Sequence, residues 1–383
     1  MKRRLVILTE IIAPYRIPLF NMLAGSESVD LHVIFLAETD ANLRDWPVYK
    51  EEIKFSFEIL PSWRRHIAGY NLLLNRGVGE ALAAAAPDVI LCGGYNYIAS
   101  WQALSWARSR RLPFLLWSES NRQDLRRGLA PVEFLKGKFL DRCAGFVVPG
   151  QSALEYLAAH SVEQEKIFTA PNAVDNDLFA GAAGAARQDE RGCRRALGLP
   201  ERYFLFAGRL VPEKGVFDLL SAYATLDESL RRQCGLVFAG DGAVKGQLEK
   251  QAASISPGMV RFTGFAQRER LAQYYALAEA LILPTYTDTW GLVVNEAMAC
   301  GLPVILSRAA GCAADLVMEN RNGLLVSPKD VPALAAVMTS LGRQPELCRT
   351  MGAESMRRIS RYSPSEWAKG VVRAVETIVG ERG

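Results

Sequence analysis

Phe206-Ala-Gly-Arg-Leu-Val-Pro-Glu-Lys-Gly215 is the stretch on which the reading of this chain turns. An apolar run, Tyr203 to Ala207, stops at a glycine, two cations follow at Arg209 and Lys214, and a second glycine opens an apolar-periodic segment, Val216 to Tyr223. A buried strand that passes through a glycine turn into a helix is the repeating unit of parallel sheets wound with crossover helices. The turn aims its two cations across the carboxyl edge of the strand, which suits a diphosphate. Arginine grips two phosphate oxygens through its planar fork and lysine adds a mobile point charge, at roughly 1.5 to 3 kcal/mol per charge-assisted bond. The segment also reads as a solvated turn with a helix-capping salt bridge, because glycine-rich strand-to-helix turns are widespread.

The same alternation extends in both directions. Leu5 to Leu8, Leu31 to Leu36, Val89 to Cys92, Phe114 to Trp117 and Phe146 to Val148 read as buried strands, separated by helices at Pro18 to Ala24, Gly77 to Ala86, Ile98 to Ser109 and Ser152 to His160. After Tyr203 to Ala207, strands are expected at Leu236 to Ala239, Val260 to Phe262, Ala280 to Leu283, Val304 to Leu306 and Gly323 to Val326. Helices at Val216 to Tyr223, Lys245 to Ala253, Arg268 to Leu277, Val294 to Ala299 and Val331 to Gly342 separate them. The class is α/β, and ligands of such sheets bind beyond the carboxyl ends of the strands.

A length of 383 residues, at roughly 150 per domain, predicts two domains. We expect an N-terminal domain over residues 1–180, a connection over 181–198 where small residues give way to a charged stretch, a C-terminal domain over 199–362, and a helix over 363–383 returning to the first domain. Half the residues are hydrophobic and 22% are charged, which fits neither a disordered chain nor a membrane-spanning bundle. A net charge of +4 does not point to nucleic acid. Seven scattered cysteines without a CxxC pair and three histidines argue against zinc and fit a reducing cytoplasm. Lys2, Arg3 and Arg4 before Leu5 to Leu8 imitate a signal peptide, but Glu10, Pro14 and Arg16 interrupt the apolar stretch.

A second segment, Pro284-Thr-Tyr-Thr-Asp-Thr-Trp-Gly-Leu-Val-Val-Asn-Glu-Ala-Met-Ala-Cys-Gly-Leu-Pro-Val304, is a polar loop leading into a short helix stopped by Gly301 and Pro303. Free amides at the start of that helix are suited to a phosphate. Asp288 and Glu296 bracket the same place, where two carboxylates would repel an anion unless they serve vicinal sugar hydroxyls. The alternative makes Glu296 a first-turn helix stabiliser and Asp288 a loop cap.

With these residues in view, the second half of the chain resembles the retaining glycosyltransferases of family 4, which have the GT-B fold: two Rossmann-like, doubly wound domains facing across a cleft. Ala207 to Gly215 resembles that family's phosphate-binding turn, Gly240-Asp-Gly242 its next strand end, Arg261-Phe-Thr-Gly-Phe265 the segment that reads the nucleotide base, and Asp288 to Glu296 its E-x7-E element. Pro171-Asn-Ala-Val-Asp-Asn-Asp-Leu-Phe179 resembles the stretch closing the first domain, with Ala173 where the family usually has glycine. The resemblance implies a diphosphate held by Arg209 and Lys214, ribose hydroxyls held by Glu296 and the transferred sugar held by Asp288. Gly208, Gly264, Phe265, Thr289, Trp290, Gly291, Leu292 and Val293 complete the implied donor site, with no metal or other cofactor. The implied reaction moves a hexose-type sugar from a UDP- or GDP-sugar, with retention, to a hydroxyl of a glycan, glycolipid or lipid-linked oligosaccharide, as in polysaccharide biosynthesis.

Three departures mark this chain. Asp288 is one methylene shorter than the usual glutamate, so its carboxylate must move or a water must bridge. Trp117-Ser-Glu-Ser120 lacks the family's histidine and puts Glu119 at about its position, as a catalytic candidate or as an ordinary strand-end residue. Ile11-Ile-Ala-Pro-Tyr-Arg16 lacks the usual glycine pair, leaving Arg16 to face donor or acceptor. Asp175-Asn-Asp177 spells a metal-binding DxD, but its place in the Pro171 segment favours a structural turn. On the acceptor side, Tyr15, Arg16, Tyr95 and Glu119 are candidates, and Trp46, Trp63, Tyr70 and Tyr97 are suited to stacking or to simple packing. Arg122, Arg126, Arg127, Lys136, Lys138 and Arg142 interleave with Leu125, Leu129, Phe134, Leu135 and Phe139, as in an interfacial helix at the inner face of a membrane or in an ordinary solvated one. Two other functions share the same motifs: a sugar-nucleotide epimerase, and a non-catalytic nucleotide-sugar-binding subunit.

Overall fold

A computed structural model describes all residues except 1, 41–46, 68–69, 122–129, 256–257 and 381–383. The chain divides into two units: one holds the N-terminal part to Val174 together with the segment from Pro364 onward, and the other runs from Asp175 to Ser363.

In the first unit, β1 (Arg3–Thr9), β2 (Val29–Phe35), β3 (Ser56–Ile59), β6 (Val89–Cys92), β7 (Phe114–Trp117), β8 (Gly145–Val148) and β9 (Ile167–Thr169) form a parallel sheet of order β3-β2-β1-β6-β7-β8-β9. Its strands alternate between two buried layers, which is why they read as unbroken apolar runs. Leu5 and Ile7 of β1 join Leu115 and Trp117 of β7 in one layer, while Val6, Leu8, Phe114 and Leu116 join the other. The helix Pro364–Gly380 covers the first layer. Trp367, fully buried, packs on Phe20 and Trp117 at ring-centre distances of 5.7 and 5.2 Å. An antiparallel hairpin, β4 (Ser62–Ile67) and β5 (Tyr70–Asn75), stands outside the sheet. Arg64 and Arg65 interrupt its apolar alternation, and so it was not legible from the pattern.

The second unit holds β10 (Tyr203–Ala207), β11 (Gly235–Ala239), β12 (Val260–Gly264), β13 (Ala280–Leu283), β14 (Val304–Ser307) and β15 (Gly323–Val326), all parallel, in the order β12-β11-β10-β13-β14-β15. The expected α/β class is therefore observed, with strand ends displaced by at most a few residues. The expected connection over 181–198 is a correction. That stretch lies in two helices of the second unit, Asn176–Gln188 and Glu190–Leu197. Asp175 and Asp189 cap them by accepting from the amides of Leu178 and Gly192 at 3.0 and 3.1 Å. Phe179, Ala183 and Ala186 repeat at helical spacing on the buried face. Four of the six small residues over 181–186 are alanines, the strongest helix formers, and they outweigh the two glycines among them.

Candidate functional site

Strand order singles out one place in each sheet. From β10 the chain winds through β11 to β12 on one side, then returns to place β13 on the other side of β10, so the sheet reverses between β10 and β13. Loops leaving the carboxyl ends of two such strands diverge and leave a crevice. Here those loops are the two segments singled out in the sequence, Gly208 to Gly215 and Pro284 to Gly291.

The loops are fixed to one another by backbone. Gly215 has φ +69°, and a Cβ there would lie 2.1 Å from the Pro284 carbonyl oxygen. Only glycine tolerates both the conformation and the approach. The Glu213 carbonyl accepts from the Tyr286 amide at 2.8 Å and from the buried Thr285 hydroxyl at 3.1 Å. Gly240, at the end of β11, approaches Gly208 in the same way, and a Cβ on it would lie 1.9 Å from the Gly208 carbonyl oxygen. On this frame the Lys214 ammonium meets the Asp288 carboxylate at 2.5 Å, across 74 positions of sequence, with each side chain only 15% exposed. Arg209 stands exposed at the rim of the same turn.

The helix Leu292–Ala299 starts at Gly291, whose φ of +96° turns the chain into it. Its first amides, at Leu292 and Val293, lie at the positive end of the helix. Glu296 accepts a hydrogen bond from the Tyr275 hydroxyl at 2.8 Å, and burial pushes its carboxyl up to about 7 against the lowering effect of that bond. Burial also raises Tyr275, as does the neighbouring carboxylate. The proximity of Tyr275 to Glu296 was not expected from the sequence. The Trp290 ring is buried at 3% exposure and donates through Nε1 to Asn295 at 2.8 Å, so its side chain braces the loop. Thr289 is exposed, and its backbone passes close to Gly311. Gly264, at φ +71°, ends β12, and Phe265 beyond it is 54% exposed.

The first sheet reverses between β1 and β6. Arg16, in the loop after β1, donates to Thr9 Oγ1 at 3.0 Å, faces the Glu119 carboxylate at 3.4 Å and lies 4.3 Å over the Trp117 ring. Burial works against its charge, but Tyr15, Glu119 and Glu10 together hold its pKa above the ordinary value. Glu119 and Arg16, proposed separately from the sequence, are thus partners. Arg64 of the hairpin pairs with the buried Asp40 and, at 3.1 Å, with Glu10. The Tyr97 phenol bonds to Glu10, and its pKa is pushed well up, first by burial and then by that carboxylate. Glu10, Asp40 and Arg64 escaped the sequence reading: an arginine inside a strand-length segment was the available signal for one, and no local pattern marks the other two. Tyr95 packs on Phe139 at 6.0 Å, and Trp63 is 48% exposed beneath Arg65. Trp46, Arg122, Leu125, Arg126, Arg127 and Leu129 lie outside the described residues, as does the side chain of Tyr70.

Asp175 of the DxD-like triplet is the helix cap already described. Among the described residues no group of three His, Cys, Asp or Glu side chains is placed to hold a metal, and no helix is long and apolar enough to cross a membrane.

The two doubly wound parallel sheets are those of the GT-B fold. The solved structure of Anabaena HepE in complex with UDP and glucose has the same fold, with a TM-score of 0.75 at 17% identity over 98% of this chain and 100% of that one. Residues 194–358 match the family of glycosyl transferases group 1. It is 28% identical over 243 residues to the D-inositol 3-phosphate glycosyltransferase of Thermomonospora curvata, covering 61% of this chain and 56% of that protein. To the enzyme of the same name from Streptomyces avermitilis it is 33% identical over 218 residues, covering 54% and 46%. The chain thus spans about half the length of these curated relatives.

Proposed function

We propose that this protein transfers a hexose-type sugar from a nucleotide diphosphate donor to a hydroxyl of a glycan, glycolipid or lipid-linked oligosaccharide, with retention at the anomeric carbon. The observation that carries the reading is the meeting of Lys214 with Asp288 at the reversal point of the second sheet, beside the amino end of the helix Leu292–Ala299. A cation held there by a carboxylate is preorganised for a second anion. In this reading the donor diphosphate draws in Lys214 and Arg209 and takes hydrogen bonds from the first amides of the helix. Asp288 then serves the hydroxyls of the sugar, and Glu296 those of the ribose. Negative charge growing on the departing diphosphate meets fixed positive groups, the electrostatic effect that contributes most to many enzymic rate accelerations. Lys214, Arg209 and the helix amides supply positive charge at the place where a metal would otherwise act, which supports transfer without one.

The family resemblance carries the stereochemical part. A donor phosphate oxygen accepts the proton of the incoming hydroxyl on the face from which the leaving group departs, and the donor configuration is kept. No protein base is required, and Glu119, already balanced by Arg16, orients the incoming hydroxyl. The neighbour with UDP and glucose bound supports a uridine diphosphate sugar as the first donor to test.

The test is ligand-observed NMR of the pure protein with a panel of UDP- and GDP-sugars, followed by the same spectra over hours, with and without a chelator. Saturation transfer to one nucleotide sugar and its slow, chelator-insensitive hydrolysis are expected. A protein that binds none of them overturns the reading, and one that isomerises the donor is an epimerase.

A further inference from the structure

We propose that the helix Ala130–Leu140 and the groove beside it form a docking surface for a bilayer containing anionic lipid. The helix is anchored by one face. Phe139 is fully buried and packs on Trp101 and Phe114 at ring-centre distances of 4.9 and 5.9 Å, and Leu140 beside it is 4% exposed. Phe134 lies five positions earlier, about 140° around the helix from Phe139. It points away from the core and is 64% exposed, and Val132 and Leu135 flank it at 53% and 54%. Three large apolar side chains in four positions, held outward by an anchored helix, are costly in water and suit an interface that accepts them.

The charges lining the groove are of one sign. Lys138 reaches over the Phe134 ring at 5.4 Å, and Arg142 is held in place by donating to the Lys138 carbonyl. Arg108 joins Lys138 and Arg142 along the groove, and among the described residues no carboxylate lines it. The acidic residue of the helix, Glu133, is paired with Lys136 at 3.3 Å. Apolar side chains ringed by cations match the chemistry of a bilayer surface, with acyl chains for the former and anionic headgroups for the latter. A protein partner of ordinary mixed charge would require carboxylates here as well.

The test uses the full chain and needs no turnover, so it stands apart from the transfer reaction. Binding to sedimented vesicles of phosphatidylcholine alone is compared with binding to vesicles in which about a third of the lipid is phosphatidylglycerol, a surface of clear negative potential, at low and high salt. Two double variants accompany the parent, Phe134→Ser with Leu135→Ser, and Lys138→Glu with Arg142→Glu; all four positions are surface side chains, and circular dichroism checks that both variants fold. The expected result is salt-sensitive binding to the anionic vesicles alone. Each lost cation should weaken it about fivefold, so the charge-reversed variant falls by about 25-fold or more. The serine variant should lose roughly tenfold through its missing apolar anchor. Equal binding to both vesicle types, no binding to either, or unchanged binding in both variants overturns the proposal. So does a parent that is dimeric by size exclusion and becomes monomeric in the serine variant, since the occupant would then be a second copy of the chain.

Discussion

Glu296 offers the sharpest quantitative test of the second unit. Its carboxyl is held at about 7 in the fold against an ordinary 4.5, because burial disfavours the anion more than the Tyr275 hydroxyl favours it. Between those two pH values the folded protein holds a proton that the unfolded chain releases. The stabilisation is fully present below about 4.5 and is lost as pH rises through about 7. A difference of about 2.5 pH units at 1.36 kcal/mol each amounts to an upper bound of about 3 kcal/mol. Glu296→Gln keeps the shape and an acceptor for Tyr275 but cannot ionise. Urea unfolding at several pH values from about 4.5 to about 8 should therefore show the variant gaining on the parent as pH rises, by up to about 3 kcal/mol. Curves that run parallel across that range would refute the burial argument. The same titration should appear in ligand binding: if ribose hydroxyls donate to the carboxylate, nucleotide affinity of the parent rises with pH through about 7 and that of the variant stays flat. A flat parent would remove Glu296 from the ribose site.

Lys214→Ala should lower turnover by roughly 10² or more through loss of one transition-state contact while the fold persists, and near-parent turnover in steady-state assays would take Lys214 out of the reaction. Gly215→Ala should force the Gly208 and Pro284 loops apart, since its Cβ meets the Pro284 carbonyl at 2.1 Å. Weaker nucleotide binding by calorimetry with little change in secondary structure is expected, and unchanged affinity would show that the loops adjust freely. Trp367→Ala opens a cavity against Phe20 and Trp117 and should cost about 3 to 5 kcal/mol of first-unit stability by chemical unfolding. A loss below about 1 kcal/mol would mean that the C-terminal helix contributes little to that core.

Some of this molecule is local. The strands Tyr203–Ala207 and Ala280–Leu283 are apolar runs cut off by glycine or proline, and each states its own burial without reference to any other segment. Gly208, Gly215 and Gly291 stand where φ is positive, so the turns too are written in residue type. The hairpin Ser62–Ile67 with Tyr70–Asn75 was hidden because its Arg64 finds partners, Asp40 and Glu10, that no window of neighbouring residues contains. The helix Asn176–Gln188 was hidden for a different reason, its small side chains having too little hydrophobic contrast to mark a face.

From the chain of letters alone came the α/β alternation, the two glycine turns and the residue types suited to a diphosphate and to sugar hydroxyls. Tertiary structure alone decided which strands are neighbours, and with that the reversal between β10 and β13 that brings Lys214 to Asp288, the bond from Tyr275 to Glu296, and the pairing of Arg16 with Glu119. The physical reason is that periodicity records how deeply each strand is buried, whereas strand order is set by where the crossover helices find their packing partners. Charges far apart in sequence meet only after that choice is made.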